Sequence, residues 1–204
     1  MGEVFRSFIS FLVVSVLAGL PCGAQPDSPP RIFRPAANSM VEPGPLSVVA
    51  RGSVAASLML DGTSLAVTRP GPQALTTTIT PSAGRHELVL RDGDAEVRVA
   101  FFVGVFSSAV QPQDEWKVFR SHPPPAMGTT CSACHAVRDG KWEFAGGGIA
   151  SNCFRCHNAE LFPKAHTHER GVLADCTMCH LAHGSTESKH LKMTAKAACT
   201  QCHF

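Results

Sequence analysis

The chain has 204 residues, a length that allows one large domain or two small ones. Hydrophobic residues make up 44 % of it and the formal net charge is +2, which excludes a disordered polyelectrolyte. No block of Lys and Arg indicates nucleic-acid binding. Eight of the nine cysteines and nine of the ten histidines lie after residue 120. The two halves therefore differ in chemistry, and the second holds nearly all the metal-ligating side chains.

The first 24 residues have the pattern of a secretory signal peptide. Arg6 precedes an apolar run over residues 8–20, and Ala24, two places after Cys22, suits cleavage by a signal peptidase. The run is shorter than the about 20 residues that span a bilayer. Two alternatives stay open, a retained anchor and lipidation of Cys22. We expect an exported protein, periplasmic or at the cell surface, without a membrane span after cleavage.

Residues 30–106 have the pattern of a small antiparallel β-sandwich. Short apolar segments alternate with turn-forming pairs such as Asp61-Gly62 and Asp92-Gly93. The predicted strands are Leu46–Arg51, Ala56–Leu60, Leu65–Thr68, Ala74–Thr80, Arg85–Arg91 and Glu96–Val103. The last two are predicted to form a hairpin around Asp92-Gly93.

This region resembles the bacterial immunoglobulin-like modules that are appended to exported proteins. The resemblance implies a small all-β immunoglobulin-like sandwich that acts as a spacer or docking surface. His86 is its one histidine, and we expect it to be an exposed strand residue rather than a ligand. Residues 107–121 are predicted to be a linker, whose aromatic end at Trp116 and Phe119 could lie against the C-terminal region.

Residues 122–204 contain four C-x-x-C-H motifs, the attachment signature of c-type haem. In such a motif the two thiols bind the porphyrin vinyl groups and the histidine becomes the proximal iron ligand. The predicted attachment residues are Cys131, Cys134, Cys153, Cys156, Cys176, Cys179, Cys199 and Cys202. The predicted proximal ligands are His135, His157, His180 and His203. The sequence therefore predicts four covalently bound haems c.

Zinc and disulfide bonds are the alternatives for so many cysteines. Tetrahedral zinc uses paired C-x-x-C knuckles, but zinc coordination does not require a histidine after every second cysteine. Disulfides are chemically possible in an exported protein, but they leave the histidines equally unexplained. Haem c is attached after export, so the signal peptide and the motifs support one another.

The spacing of the motifs indicates an internal duplication into two two-haem repeats, 122–157 and 166–203. The first cysteines of successive motifs are 22 residues apart in the first repeat and 23 in the second. The region resembles multihaem c-type cytochromes with doubled C-x-x-C-H motifs, in the style of the class III and c7 cytochromes. The second repeat is more similar, because Cys176–His180, His183 and Ser185 follow that family's C-x-x-C-H-x-x-H-x-S pattern.

Several other histidines are candidates for the distal iron positions. The candidates are His122, His168, His183 and His190. The resemblance implies His183 and His168 first, and three prolines stiffen the chain after His122. His166 is a weaker alternative, because it and His168 flank Thr167 and we expect only one of them to bind. A second histidine on each iron would give low-potential haems that exchange electrons without binding a substrate.

The first repeat departs from the family pattern at Arg138. His183 follows His180 by three residues, whereas Arg138 stands three residues after His135. One distal ligand must therefore come from elsewhere, or one iron is open or has a methionine ligand. The candidate thioethers are Met127, Met178 and Met193.

Residues 122–204 contain few large aliphatic side chains, so they cannot bury enough apolar area without porphyrins as their core. We therefore expect a two-part protein: the sandwich, then a haem-packed helix and loop domain of a tetrahaem cytochrome c. The expected function is one-electron relay between redox proteins rather than catalysis. The haem propionates make the domain acidic, which favours a basic partner surface over nucleic acid. The alternatives are a haem enzyme or sensor with one open iron for a small nitrogen oxide or gas, and a structural subunit of an extracellular respiratory assembly that docks through the sandwich.

Overall fold

The computed structural model describes residues 28–105, 116–157, 168 and 174–203. The predicted signal peptide, most of the predicted linker and His166 lie outside the described residues. Within the described ranges, no helix is long and apolar enough to cross a membrane.

Nine strands between residues 28 and 118 form two sheets in the described part of the chain. In chain order they are β1 Arg31–Arg34, β2 Ser39–Val41, β3 Leu46–Arg51, β4 Ser57–Leu60, β5 Thr63–Ser64, β6 Ala74–Ile79, β7 Gly84–Asp92, β8 Ala95–Val103 and β9 Lys117–Val118. One sheet has the strand order β1-β3-β6, and the other has the order β5-β4-β7-β8-β2-β9. Neighbours are antiparallel except that β2 runs parallel to both β8 and β9. The prediction of a small all-β sandwich is confirmed.

The core of the sandwich follows from the alternation of side chains along its strands. In β3, Leu46, Val48 and Ala50 are buried while the residues between them are half-buried, as expected of a strand with one face on the core. His86 is buried as well, with its ring 5.5 Å from that of Phe101, so the expectation that it is exposed is wrong. The largest fully buried side chains come from both sheets: Phe101, Leu58, Leu75, Leu88, Leu90 and Val48.

The strand boundaries agree with the sequence where alternation and turns are both clear. β3 begins and ends at the predicted residues, and β7 and β8 form the predicted hairpin with Asp92 opposite Ala95. The strand predicted over Leu65–Thr68 is wrong, because Thr68 forms only an isolated bridge with Thr76. The sequence patterns do not reveal β1 and β2, which are short and lie in a segment rich in proline.

The last residues of the predicted linker include strand β9, which belongs to the sandwich. β9 pairs with β2, and the amide of Phe119 donates to the carbonyl of Met40 at 2.7 Å. The Phe119 ring is 7 % exposed and lies in the core of the sandwich. Pairing and burial together extend the sandwich to residue 119, beyond the boundary at 106 that composition indicates.

The C-terminal region has less regular structure. Its elements are β10 Arg120–Ser121, β11 His135–Arg138, β12 Lys141–Phe144, α1 Ile149–Cys153, β13 Gly184–Ser185 and α2 Ala195–Cys199. β11 and β12 form a hairpin, and β10 pairs with β13. Single 3-10 turns make up much of the remainder, including Cys131–Ala133 and Cys176–Met178. Helices were expected here, but the two α-helices in the described part are each only five residues long. The β11–β12 hairpin was not expected.

Candidate metal centres

Each C-x-x-C-H motif folds as one helical turn. In every motif the amide of the second cysteine donates to the carbonyl of the first, with N···O distances of 3.1, 3.1, 3.3 and 3.3 Å in chain order. In the last three motifs the histidine amide also donates to that carbonyl, each time at 3.0 Å. Residues i, i+3 and i+4 of a helical turn share a face, so both thiols and the imidazole of these motifs project to one side. The first motif differs, because His135 begins β11 and pairs with Phe144.

The first three motifs lie against one another. The guanidinium of Arg155, in the second motif, donates to the carbonyl of Ala133 in the first. Burial is the main cause that raises the pKa of the Cys153 thiol to about 11, and the charge and hydrogen bond of the neighbouring Cys176 thiol in the third motif contribute to that value. Among the described residues, no disulfide joins the eight cysteines after residue 120. The thiols of Cys153 and Cys176, which belong to different motifs, therefore lie beside one another.

Three pairs of imidazole rings join a motif histidine to a histidine outside the motifs. His183 lies against His135 in the first motif, with ring centroids 6.0 Å apart and an interplanar angle of 18°. His122 lies against the histidine of the second motif at 5.8 Å and 15°, and His168 against that of the fourth motif at 6.3 Å and 45°. The structure thus brings three of the four favoured distal candidates to three different motifs.

His183 is the most enclosed of these rings. Burial lowers its pKa to about 4, and the nearby charges of His135, Arg34 and His122 act in the same direction. The ring of Phe33, on β1, packs on it at a centroid distance of 5.3 Å. The neutral imidazole is the form that binds a metal, so this environment keeps His183 ready to ligate at neutral pH.

Backbone carbonyls orient two further rings. Nδ1–H of His122 donates to the carbonyl of Ala182 at 3.0 Å, and Nδ1–H of His180 donates to that of Lys189 at 2.8 Å. Histidines that ligate metals commonly donate one ring N–H in this way, which leaves the other nitrogen for the metal. Both rings therefore have the support that is typical of metal ligands.

His190 lies beside His122, with ring centroids 5.0 Å apart in an edge-on arrangement. Its Nδ1 is buried and has no hydrogen-bond partner among the described residues. Burial lowers the pKa of His190, as do the charges of His122 and His180. A buried ring nitrogen without a partner is costly unless a bound group satisfies it.

The first motif borders a solvent-accessible cavity of about 630 Å³, and part of its wall comes from the sandwich. Its lining includes Cys131, His135 and Trp142 from the C-terminal region and Pro70 from the sandwich. The Trp142 ring lies edge-on to His135 at 5.2 Å, and its indole N–H donates to the carbonyl of Pro72. Burial lowers the pKa of His135, which favours its neutral, metal-binding form.

Other candidates from the sequence stand outside these clusters. Arg138, at the position where the repeat calls for histidine, is exposed and forms an ion pair with Glu143 across the β11–β12 hairpin at 3.3 Å. Met127 and Met178 are largely exposed, at 61 % and 42 %. Within the described residues, no group of three or more His, Cys, Asp or Glu side chains is placed to hold a bare metal ion.

Sequence reasoning missed the residues of the sandwich that contact this region. Phe33 packs on His183, Arg34 donates to the carbonyls of His183 and His122, and Pro72 accepts from Trp142. The hydrogen bonds among these contacts join residues that are 70 to 149 positions apart in the chain. No local pattern could have revealed them, because motif spacing and periodicity report only on near neighbours.

Comparison with protein families gives one match. The family described as "Doubled CXXCH motif" matches residues 168–204, which contain the third and fourth motifs. No curated protein matches the chain. The family match supports a multihaem c-type cytochrome with covalently bound haem.

Solved structures are similar to parts of the chain. The fibronectin(III)-like modules of Clostridium thermocellum CbhA are 22 % identical, with a TM-score of 0.30 over 36 % of this chain and 94 % of that one. Titin M4 is 16 % identical, with a TM-score of 0.27 over 39 % of this chain and 98 % of that one. A polysaccharide lyase, BACCELL_00875, is 15 % identical, with a TM-score of 0.30 over 36 % of this chain and 12 % of that one.

Proposed function

We propose that the chain is an exported tetrahaem c-type cytochrome that relays single electrons between redox proteins. The observation that carries this proposal is the set of three imidazole pairs, each of which joins a motif histidine to one outside the motifs. Bound haem would supply one-electron chemistry at its iron. The residues of the chain attach the porphyrins, ligate the irons and exclude other ligands from them.

The spacing within the pairs fits an iron between two imidazoles. A metal–imidazole bond is about 2 Å long, which places two ring centroids on opposite sides of one metal about 6 Å apart. The observed separations of 6.0, 5.8 and 6.3 Å agree with this value. Ordinary aromatic pairs also lie about 4.5–7 Å apart. The choice of partners is therefore the stronger argument. Among the described residues, three of the four imidazole pairs contain one motif histidine, and the fourth joins His122 to His190.

These pairs support a proposal for the distal ligands. His183 would serve the haem of the first motif, His122 that of the second and His168 that of the fourth. His190 remains for the third motif by elimination, and its buried, unpartnered Nδ1 agrees with a bound group there. The first repeat then needs no distal histidine of its own at position 138, because His183 of the second repeat would ligate that iron.

The burial of side chains supports porphyrins as the core of this region. Among the described residues from 122 to 203, only Asn152, Gly184 and Ser185 are buried, and none of these has a large apolar side chain. A polypeptide with so little buried apolar area does not fold stably on its own. Attached porphyrins would provide the missing apolar surface, which makes folding depend on haem.

Export and partners complete the proposal. Haem c is attached outside the cytoplasm, which fits the signal-peptide pattern and either a periplasmic or a cell-surface location. The formal charge of +2 becomes negative in the reduced protein when eight propionates are added. We propose that the electron donor and acceptor are other redox proteins, at least one of which presents a basic surface.

Carbon monoxide binding tests the ligand assignment. The reduced wild-type protein should show no spectral change with carbon monoxide, because every iron has two histidine ligands. His183→Ala should open one iron per chain and bind one carbon monoxide. His166→Ala is the matched control and should behave like the wild type, since His168 occupies the distal position.

Stoichiometric carbon monoxide binding by the wild-type protein would contradict the relay and favour an enzyme or sensor with an open iron. A His183→Ala protein with four haems and no carbon monoxide binding would contradict the assignment of His183.

A further inference from the structure

Arg34 links the sandwich to the backbone of two proposed distal ligands. It is the last residue of β1 and is 8 % exposed. Its Nε donates to the carbonyl of His183 at 3.0 Å, and its Nη2 donates to the carbonyl of His122 at 2.8 Å. One guanidinium therefore spans two chain segments that carry ligands for different haems.

The burial of this guanidinium requires an explanation. Burial lowers the pKa of Arg34, which shows that removal from water works against its charge. Among the described residues, no carboxylate lies within ion-pair distance of it. The rigid fork of arginine can satisfy two acceptors at once, and the two carbonyls are the partners that this fork finds here. A charged side chain buried on two carbonyls is therefore built into the contact between the two parts.

Neighbouring contacts hold the same two segments. Phe33, adjacent to Arg34, packs on the ring of His183. β10 ends directly before His122 and β13 begins directly after His183, and these strands pair with Ser121 opposite Gly184. A Cβ at Gly184 would lie 2.5 Å from the carbonyl oxygen of Arg120, so the strands approach too closely for any other residue. The spacing between the two histidine backbones is thus fixed from both sides.

We infer that Arg34 is a positioning residue that sets the distal histidines of the first two haems, and that the sandwich is part of the haem site. This inference rests on the proposed function. Without Arg34, two carbonyls lose their donor and the segments of His122 and His183 lose their common anchor. The distal histidines then dissociate more readily from their irons, although neither the histidines nor the motifs have changed.

The test compares Arg34→Gln, Arg34→Lys and Arg69→Gln in the full-length, haem-loaded protein. Arg69 is a matched control, because its guanidinium also donates to two carbonyls, those of Ser53 and Ala56, but both lie within the sandwich. For each variant we would measure the intact mass, the carbon monoxide stoichiometry of the reduced protein and the reduction potentials. The mass establishes that four haems are attached before the other two readouts are compared.

We expect R34Q to bind up to two carbon monoxide molecules per chain and to shift the potentials of two haems. R34K keeps the charge but cannot span both carbonyls, so its carbon monoxide binding should lie between that of R34Q and that of the wild type. R69Q should match the wild type in both readouts. If R34Q attaches fewer than four haems, R34K becomes the deciding Arg34 variant, and its carbon monoxide stoichiometry and potentials test the inference.

The inference is overturned if the deciding Arg34 variant carries four haems and has the carbon monoxide stoichiometry and potentials of the wild type. It is equally overturned if R69Q changes both readouts as much as that variant does. Failure of the proposed function is a different result, because the wild-type protein itself would then lack four haems.

Discussion

Two side chains of the sandwich that can carry charge, Arg34 and His86, are buried for different reasons. Arg34 donates to carbonyls of the C-terminal region, whereas His86 is satisfied within the sandwich. Nδ1 of His86 lies 2.6 Å from Oδ2 of Asp61, and Nε2 lies 2.8 Å from the carbonyl oxygen of Ser82. Both ring nitrogens face acceptors, so only the protonated imidazole satisfies both. Arg34 and His86 therefore belong to two separate networks of hydrogen bonds, one between the two parts of the molecule and one within the sandwich.

Asp61→Asn tests the charge of this histidine. Burial lowers the pKa of His86, but the hydrogen bonds to Asp61 and Ser82 outweigh it and raise the pKa above the usual 6.5. The resulting stabilisation is complete below about pH 6.5 and is lost as the pH rises through the folded-state pKa. Asparagine retains the acceptor for the amide of Glu87 and tolerates the positive φ of Asp61.

Thermal unfolding of the full chain between about pH 5 and pH 9 measures this effect. At low pH the free energy of unfolding of the wild type should exceed that of D61N by about 1 kcal/mol, which corresponds to about 5 °C in Tm. This difference should shrink as the pH rises. A difference that is constant over this range would contradict a charged His86.

At the scale of elements, β9 and Phe119 make residues 117–119 part of the sandwich. The pairing of β9 with β2 and the buried ring of Phe119 both add to its larger sheet and core. Removing a buried phenylalanine side chain usually costs about 3–5 kcal/mol. The stability of the sandwich should therefore depend on residues that composition assigns to a linker.

Phe119→Ala in the full chain should lower the free energy of unfolding of the sandwich by about 3 kcal/mol. Urea denaturation followed by far-ultraviolet circular dichroism measures the change. Val54→Ala is the control, because Val54 is 85 % exposed and its truncation should change the free energy by less than about 0.5 kcal/mol. Equal effects of the two substitutions would show that Phe119 does not contribute to the core.

The elements also show what a sequence reveals. β3 is predicted to the residue because Leu46, Val48 and Ala50 alternate with less buried positions, and the β7–β8 hairpin because Asp92-Gly93 marks its turn. The C-x-x-C-H turns are equally local and follow from motif spacing. Pairing between distant segments is different, because no periodicity connects Arg34 with a carbonyl 149 residues away. The distal candidates could therefore be named from the sequence, but their partners could not be assigned.

At the scale of the whole molecule, the sandwich and the C-terminal region are joined at several points. Besides Arg34 and Phe33, Nζ of Lys117 lies 2.7 Å from a carboxylate oxygen of Glu187, and Trp142 donates to Pro72. Among its described residues the C-terminal region has few buried side chains of its own, and under the proposed function its stability depends on the sandwich and on attached porphyrins. The two parts that differ so clearly in composition are therefore joined at the histidines that we propose as iron ligands.

The central claim is that four haems are attached to this chain, each iron with two histidine ligands. Intact-mass measurement of the mature protein, combined with a spectroelectrochemical titration of the same sample, tests it most directly. We predict a mass increase equal to four haem groups and four low reduction potentials, as expected for histidine ligation on both sides of each iron. A mass with fewer than four haems, or a high-potential haem that indicates methionine ligation, would contradict the account.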